Sequence, residues 1–273
     1  MRPPSRQRQF APSPSRWGAT PTCKLCCCPR ATACWLPSKC AHRVHSYRVN
    51  ESIWTIPLFP LETVLFPHTV LPLHIFEPRY REMVMHCVAT DSPFGVVLIR
   101  EGCAVNDAQV QVHEVGTLAR IGRLSRHPDG RFHLLAIGEE RFQIVRVLRH
   151  EVPYLKAHVR LWRDHEPFDR DAEQQFADEV AQQFRAFLQM ALEAGGLRAE
   201  DIELPCSPAA LSFVVAGVLQ LEMPLRQYLL ELQDACERLR LVHQILEAIM
   251  SAFASEIHPY NPEHWREYFN NYN

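Results

Sequence analysis

The chain has 273 residues, 47% hydrophobic and 22% charged, which suits a globular protein of one large or two modest domains. The formal net charge of −2 hides an uneven distribution: residues 1–50 hold nine Lys or Arg and no acid, so residues 51–273 carry a net −11, all of it beyond position 165. That balance argues against nucleic acid as the main ligand, because such binding rests on a basic footprint. No apolar run approaches the roughly 20 residues of a membrane-spanning helix.

Met1 to about Asn50 is dense in Pro, Arg, Ser and Cys without apolar periodicity, so it is expected to be a disordered extension. Six of the ten cysteines lie here, and Cys23, Cys26, Cys34 and Cys40 with His42 and His45 offer soft ligands at spacings too irregular for a familiar zinc knuckle. The basic start leads into prolines and cysteines rather than an apolar run of about 7 to 15 residues, which argues against a secretory signal and makes the cytoplasm the expected location. Three lysines against 26 arginines suggest a GC-rich coding sequence. Val49 is then a candidate alternative start, and the segment before it a mis-annotated extension.

The stretch from Ile56 to Arg81, IPLFPLETVLFPHTVLPLHIFEPRYR, is cut by Pro57, Pro60, Pro67, Pro72 and Pro78 into short extended pieces, since proline lacks an amide donor and disfavours helix before it. Leu58-Phe59, Val64-Leu65-Phe66 and Leu73-His74-Ile75-Phe76 read as strands. Pro78 presets a helix to about Ala89, with Glu77 and Arg79 placed to pair across it. The strings PLFPLETVLFP and LPLHIFEPRYREMV resemble the opening of the LON substrate-binding domain, found at the N-terminus of Lon proteases and also as a free-standing protein. His68 departs from the glycine usual in that family, a position that histidine tolerates if the backbone is left-handed.

Phe94–Ile99 reads as a buried strand. A long polar connector follows, then strands at Gly116–Ile121 and Arg131–Ile137 joined across Pro128-Asp129-Gly130. Gly138-Glu139-Glu140 is expected to turn the chain into a further strand at Arg141–Leu148, and Tyr154–Leu161 closes the series. Seven or eight short strands and one helix suit a bent antiparallel sheet or small barrel. GTLARI, DGRFHLLAIGEERFQI and PYLKAHV resemble successive LON-domain strands, which implies a PUA-like β pseudo-barrel over residues 51–165. Arg120, Arg123, Arg126 and Arg131 with His127 form the local basic cluster of this region, expected to be a solvated hairpin tip.

From Asp171 the apolar period becomes helical through Phe176, Val180, Phe184, Phe187 and Leu192, ending at Gly195-Gly196. Ser207-Pro208 starts a second helix, Pro224 a short third, and Asp234 with Glu237 a fourth, expected to be the longest, to about Phe253. Residues 166–255 should form a small helical bundle, giving an α+β chain. The string CSPAALSFVVAGVLQLEMPLRQYLLELQDACERLRLVHQIL resembles the helical part of the LON domain. An aromatic tail, residues 256–273, follows.

None of the ten glycines precedes a lysine, which excludes a G-x-x-x-x-G-K-[ST] phosphate loop from these residues. No lysine is placed to activate a serine as in a full Lon protease, and no H-E-x-x-H or other familiar zinc pattern occurs. Scattered cysteines and histidines, among them Cys87, Cys236, His74 and His243, read as packing or surface residues. No catalytic residue, metal or cofactor is expected. The resemblance implies a non-enzymatic module that binds unfolded or degron-bearing polypeptide, as an adaptor or regulator beside an ATP-dependent protease. Leu73, Phe76, Arg79 and Tyr80 are the expected binding residues, in a groove between sheet and bundle. The alternative is RNA binding through the Arg120–Arg131 hairpin; an enzyme would need a pairing such as Ser125 with His127.

Overall fold

The proline-rich stretch begins the structure as expected. The computed structural model describes residues 52–102, 110–149, 152–194, 196–197 and 202–255. The cysteine-rich leader, Cys103 and the aromatic tail lie outside the described residues. Seven strands, β1 (Trp54–Leu61), β2 (Val70–Ile75), β3 (Phe94–Glu101), β4 (Gln111–Val112), β5 (Val115–Arg126), β6 (Phe132–Leu148) and β7 (Leu155–Leu161), accompany helices α1 (Pro78–Thr90), α2 (Arg170–Ala194), α3 (Pro208–Val218), α4 (Met223–Glu231) and α5 (Ala235–Ser255). None of these helices is long and apolar enough to cross a membrane.

Strands β1, β7, β6, β5 and β3 follow one another through antiparallel pairings, and a parallel pairing of β3 with β1, Leu58 opposite Gly95 to Leu61 opposite Leu98, closes the ring. The result is an α+β fold, a β pseudo-barrel followed by a helical bundle. Two prolines fit inside β1 because Pro57 is paired with β7 alone and Pro60 with β3 alone, on either side of Leu58, which pairs with both. Ile56, Leu58, Val97, Leu118, Phe142, Ala157 and Val159, drawn from all five ring strands, form one core cluster. A second cluster packs α1, through Tyr80, Met83, Val84 and Cys87, against Phe59, Phe94, Phe132 and Leu134.

Three expectations are corrected. Val64-Leu65-Phe66 is a buried loop rather than a strand, because its carbonyls accept from side chains instead of a ladder. Thr117 Oγ1 donates to Leu65 O at 2.6 Å, Arg226 Nη2 to Val64 O at 3.1 Å and Thr69 Oγ1 to Phe66 O at 2.8 Å. Gly138 does not turn the chain. β6 runs unbroken for 17 residues, and the β1–β2 loop crosses it there, with His68 N–H donating to Gly138 O and Gly138 N–H to Thr69 O, both at 2.9 Å. A Cβ on Gly138 would overlap the Phe66 carbonyl oxygen, so the glycine serves close backbone approach. The third correction concerns length: α2 has 25 residues and α5 has 21, so α5 is not the longest helix. His68 adopts φ 62, the left-handed conformation expected of it.

The bundle meets the barrel in a third cluster that joins Val64, Phe66, Leu98 and Val115 to Phe184, Phe187, Phe213, Leu229 and Leu239. Where sheet and bundle meet, these described residues form packed core. Phe66 stacks on Phe213 with ring centres 6.1 Å apart, and Gln227 Nε2 donates to Val115 O at 3.0 Å. Beside this cluster lies a buried ionic network. Asp164 accepts from Arg141 of β6 and from Arg238 of α5, the latter through Nη2 at 2.7 Å and Nη1 at 3.0 Å. Arg141 Nη1 also donates to Leu230 O and Leu232 O at the end of α4, at 2.6 and 2.7 Å. Arg238 donates to Leu232 O at 2.7 Å and to Ser212 Oγ at 2.8 Å. Both guanidinium groups lie over the Phe213 ring, at 5.1 and 3.9 Å. Burial pushes Arg141 down to about 10, against the pull of Asp164, so it stays charged at neutral pH.

Two stability predictions follow from these contacts. Asp164→Asn leaves two buried guanidinium groups without a counter-charge and should cost about 3 kcal/mol. Arg141→Met retains one arginine for one carboxylate and should cost clearly less; equal losses in urea unfolding would contradict the assigned balance. Gly138→Ala should cost about 1–3 kcal/mol through overpacking against backbone. Gly122→Ala would close mainly on the Ile137 side chain, with the Leu135 carbonyl oxygen only at contact distance, and should cost less than Gly138→Ala in the same assay.

Candidate functional site

Register places the expected site residues on two faces of the β2–β6–β5 sheet, since directly opposed residues in an antiparallel pair share a face. Val70–Ile137–Arg120, Pro72–Leu135–Arg123 and His74–His133–Ser125 are rungs of the outer face. Leu73–Leu134–Leu124 and Ile75–Phe132–Arg126 are rungs of the inner face, which carries α1.

Of Leu73, Phe76, Arg79 and Tyr80, only Phe76 is a large apolar group in solvent, 53% exposed. Leu73 is half-buried in the inner cluster. Tyr80 is 5% exposed, its ring edge-on to Phe59 at 4.4 Å, and burial pushes its hydroxyl pKa up. Arg79 pairs with Glu77, Nε to Oε2 at 2.9 Å and Nη2 to Oε2 at 2.8 Å, and lies 4.7 Å over the Tyr80 ring. The pair across Pro78 that the sequence suggests is present, and it fixes the start of α1. The second cluster, to which Leu73 and Tyr80 belong, contains no residue of α2–α5. These residues therefore belong to the α1 side of the barrel and not to its junction with the bundle.

The four arginines of the basic cluster do not form one patch. A bulge between Ile121 and Arg123 sets Arg120 and Arg123 on the outer face. Arg126, opposite Phe132, belongs to the inner face beside α1. Arg120 pairs with Glu139 at 2.8 Å, and Arg131 with Asp129 at 2.6 Å. The hydrogen bonds from Arg131 hold the Asp129 carboxyl down to about 2, so the turn stays ion-paired well into acid.

Two features at this end of the sheet were not foreseen. His127, His133 and His74 form a row of rings with centres 4.6 Å apart at each step, and Phe76 lies 5.8 Å beyond His74. Partial desolvation, then repulsion by His127, His74 and Arg131, lowers the His133 pKa and favours its neutral ring. The second feature is an open pocket of about 350 Å³ between α1 and the β5–β6 hairpin, lined by Pro78, Arg81, Glu82, Met85, Arg126 and Phe132. Helical spacing sets Arg81, Met85 and Val88 on one stripe of α1, and Met85 and Val88 are 47% and 48% exposed. Exposed apolar residues at i and i+3 beside a proline-started helix were the available sequence signal. Their register against the hairpin was not. Among the described residues, no group of three His, Cys, Asp or Glu side chains is placed to hold a metal ion.

Comparison with known proteins bears on what this arrangement serves. The profile described as "ATP-dependent protease La (LON) substrate-binding domain" matches residues 55–248. Lon protease 2 of Myxococcus xanthus is 26% identical over 192 residues, which cover 70% of this chain and 23% of that protein. Lon protease of Methylocella silvestris is 31% identical over 185 residues, 67% of this chain and 22% of that protein. The chain thus spans about a quarter of the length of the curated relatives it matches. A Lon N-terminal domain protein from Xanthomonas campestris has a similar structure, with TM-score 0.52, 26% identity, and coverage of 71% of this chain and 98% of that one. The N-terminal domain of a Mycobacterium avium complex Lon protease shares the fold at TM-score 0.53 and 20% identity. The chain belongs to the LON substrate-binding domain family.

Proposed function

We infer that these residues bind polypeptide without catalysing a reaction on it, through the surface where β2 ends, α1 starts and the β5–β6 hairpin turns. The observation that carries the reading is an open pocket beside α1, lined in part by the exposed Met85, on a chain of this family whose α1 also exposes Val88 and is preceded by the exposed Phe76. Large apolar side chains in solvent at one place mark contact surfaces, and an extended chain is held by a few such anchors. Within this reading Phe76 is a contact residue. Leu73, Arg79 and Tyr80 position it and the first turn of α1 from behind.

The partners that fit are unfolded or degron-bearing polypeptides, and the role that fits is an adaptor or regulator of protein quality control acting with an ATP-dependent protease. RNA binding through Arg120, Arg123, Arg126 and Arg131 is the weaker reading. Two of the four are tied up in ion pairs, and the remaining two lie on different faces. A continuous basic track is what such binding needs.

Fluorescence anisotropy with a permanently unfolded, fluorophore-labelled polypeptide tests the proposal. Phe76→Ser and Met85→Ser, both at exposed positions, should each weaken binding about tenfold, in the range of one lost apolar anchor, and leave the thermal unfolding midpoint nearly unchanged. Binding that ignores both substitutions, or that falls steeply with salt and is displaced by oligouridylate, would refute it.

A further inference from the structure

We propose that the pocket between α1 and the β5–β6 hairpin is a receptor for the C-terminus of a polypeptide, taking an apolar last side chain together with its free α-carboxylate. The proposal rests on the polypeptide-binding reading above and narrows its substrate class.

The pocket combines two kinds of wall. Phe132, Met85 and Pro78 supply apolar surface, while Arg81 and Arg126 bring guanidinium groups from opposite sides, one from α1 and one from β5. Neither guanidinium has a hydrogen-bond or ion-pair partner among the described residues, unlike Arg79, Arg120 and Arg131, which are held by Glu77, Glu139 and Asp129. Space for the Arg81 side chain is reserved by the turn. Gly130 has φ +82, and a Cβ there would overlap Arg81 Nη2. The hairpin thus accepts a guanidinium against its backbone, where one ordinary side chain would displace it.

Unpaired guanidinium groups beside an apolar floor call for an anion attached directly to an apolar group. In a polypeptide that combination occurs on one carbon only at the last residue. An internal Asp or Glu carries its charge at the end of a polar side chain and has to find its apolar anchor on a neighbour. A volume of about 350 Å³ is at the small end for ligand sites and suits one large side chain with its carboxylate, the open mouth leaving the preceding chain in solvent. Glu82 on the rim restricts the charge that enters. It repels a polyanion such as a nucleic-acid backbone more than a single carboxylate whose two oxygens face the arginines.

The test uses the full 273-residue chain and a fluorescein-labelled decapeptide of Gly, Ser and Ala ending in Leu, prepared with a free C-terminal carboxylate and as the C-terminal amide. The free acid should bind at least tenfold more tightly than the amide. Arg81→Gln and Arg126→Gln should each abolish that difference, while Glu82→Gln should increase the affinity of the acid. Circular dichroism and thermal unfolding establish that the variants are folded. Equal binding of acid and amide overturns the C-terminal assignment while leaving polypeptide binding standing, provided both are weakened by Phe76→Ser. Binding of neither peptide, together with no binding of an internal unfolded segment, overturns both. Displacement of the acid by oligouridylate at equal charge concentration overturns the preference for a single carboxylate.

Discussion

Asp164 is the counter-charge on which the joint between barrel and bundle depends. Arg141 comes from β6, Arg238 from α5, and both converge on one carboxylate in the linker after β7. Two positive charges against one negative leave an excess. The Leu230 and Leu232 carbonyls at the negative end of α4 and the face of Phe213 offset it. Such a network adds little net stability over well-packed apolar groups; what it specifies is geometry. With α4 held by its C-terminal carbonyls, Arg226 reaches Val64 O and Gln227 reaches Val115 O, so the buried β1–β2 loop and the start of β5 are fixed by the same helix.

That arrangement decides which apolar faces are buried. The apolar faces of α2–α5 are spent against one another and against Phe66, Leu98 and Val115. On the other core, α1 buries Tyr80, Met83, Val84 and Cys87 and turns Arg81, Met85 and Val88 outward. The local ion pair of Glu77 with Arg79 aims this helix. The pocket lined by Met85, Arg81 and Arg126 is therefore located beside the β5–β6 hairpin.

Much of this fold is legible in the sequence because prolines and periodicity are local signals. The apolar pieces around Leu73 and Ile75 give β2, although the strand runs on through Pro72, the helix start at Pro78 gives α1, and the spacing from Phe176 to Leu192 gives α2. Gly138 was misread because glycine marks both turns and close approach, and only the loop crossing above it distinguishes the two. Arg141 escaped notice because it stands next to the buried Phe142. Two adjacent buried residues break the period of a strand, and an arginine there reads as solvent-facing. The basic cluster does not act as a unit for a related reason: the bulge at Gly122, which puts Arg126 on the opposite face from Arg120, has no signature in composition. Phe76 stands out in the sequence as a large apolar residue before the helix, whereas the pocket position of Arg81 and Met85 depends on the hairpin beside them.

Hydrogen–deuterium exchange of the full chain with and without a permanently unfolded polypeptide tests the account most directly, because it reports on the binding surface and the joint at once. The account predicts slowed exchange in residues 74–88 and 126–133, with α3 and the start of α5 unchanged and slow in both states. Protection concentrated in α3–α5, or a loosening of the Arg141–Asp164–Arg238 region on binding, would contradict it.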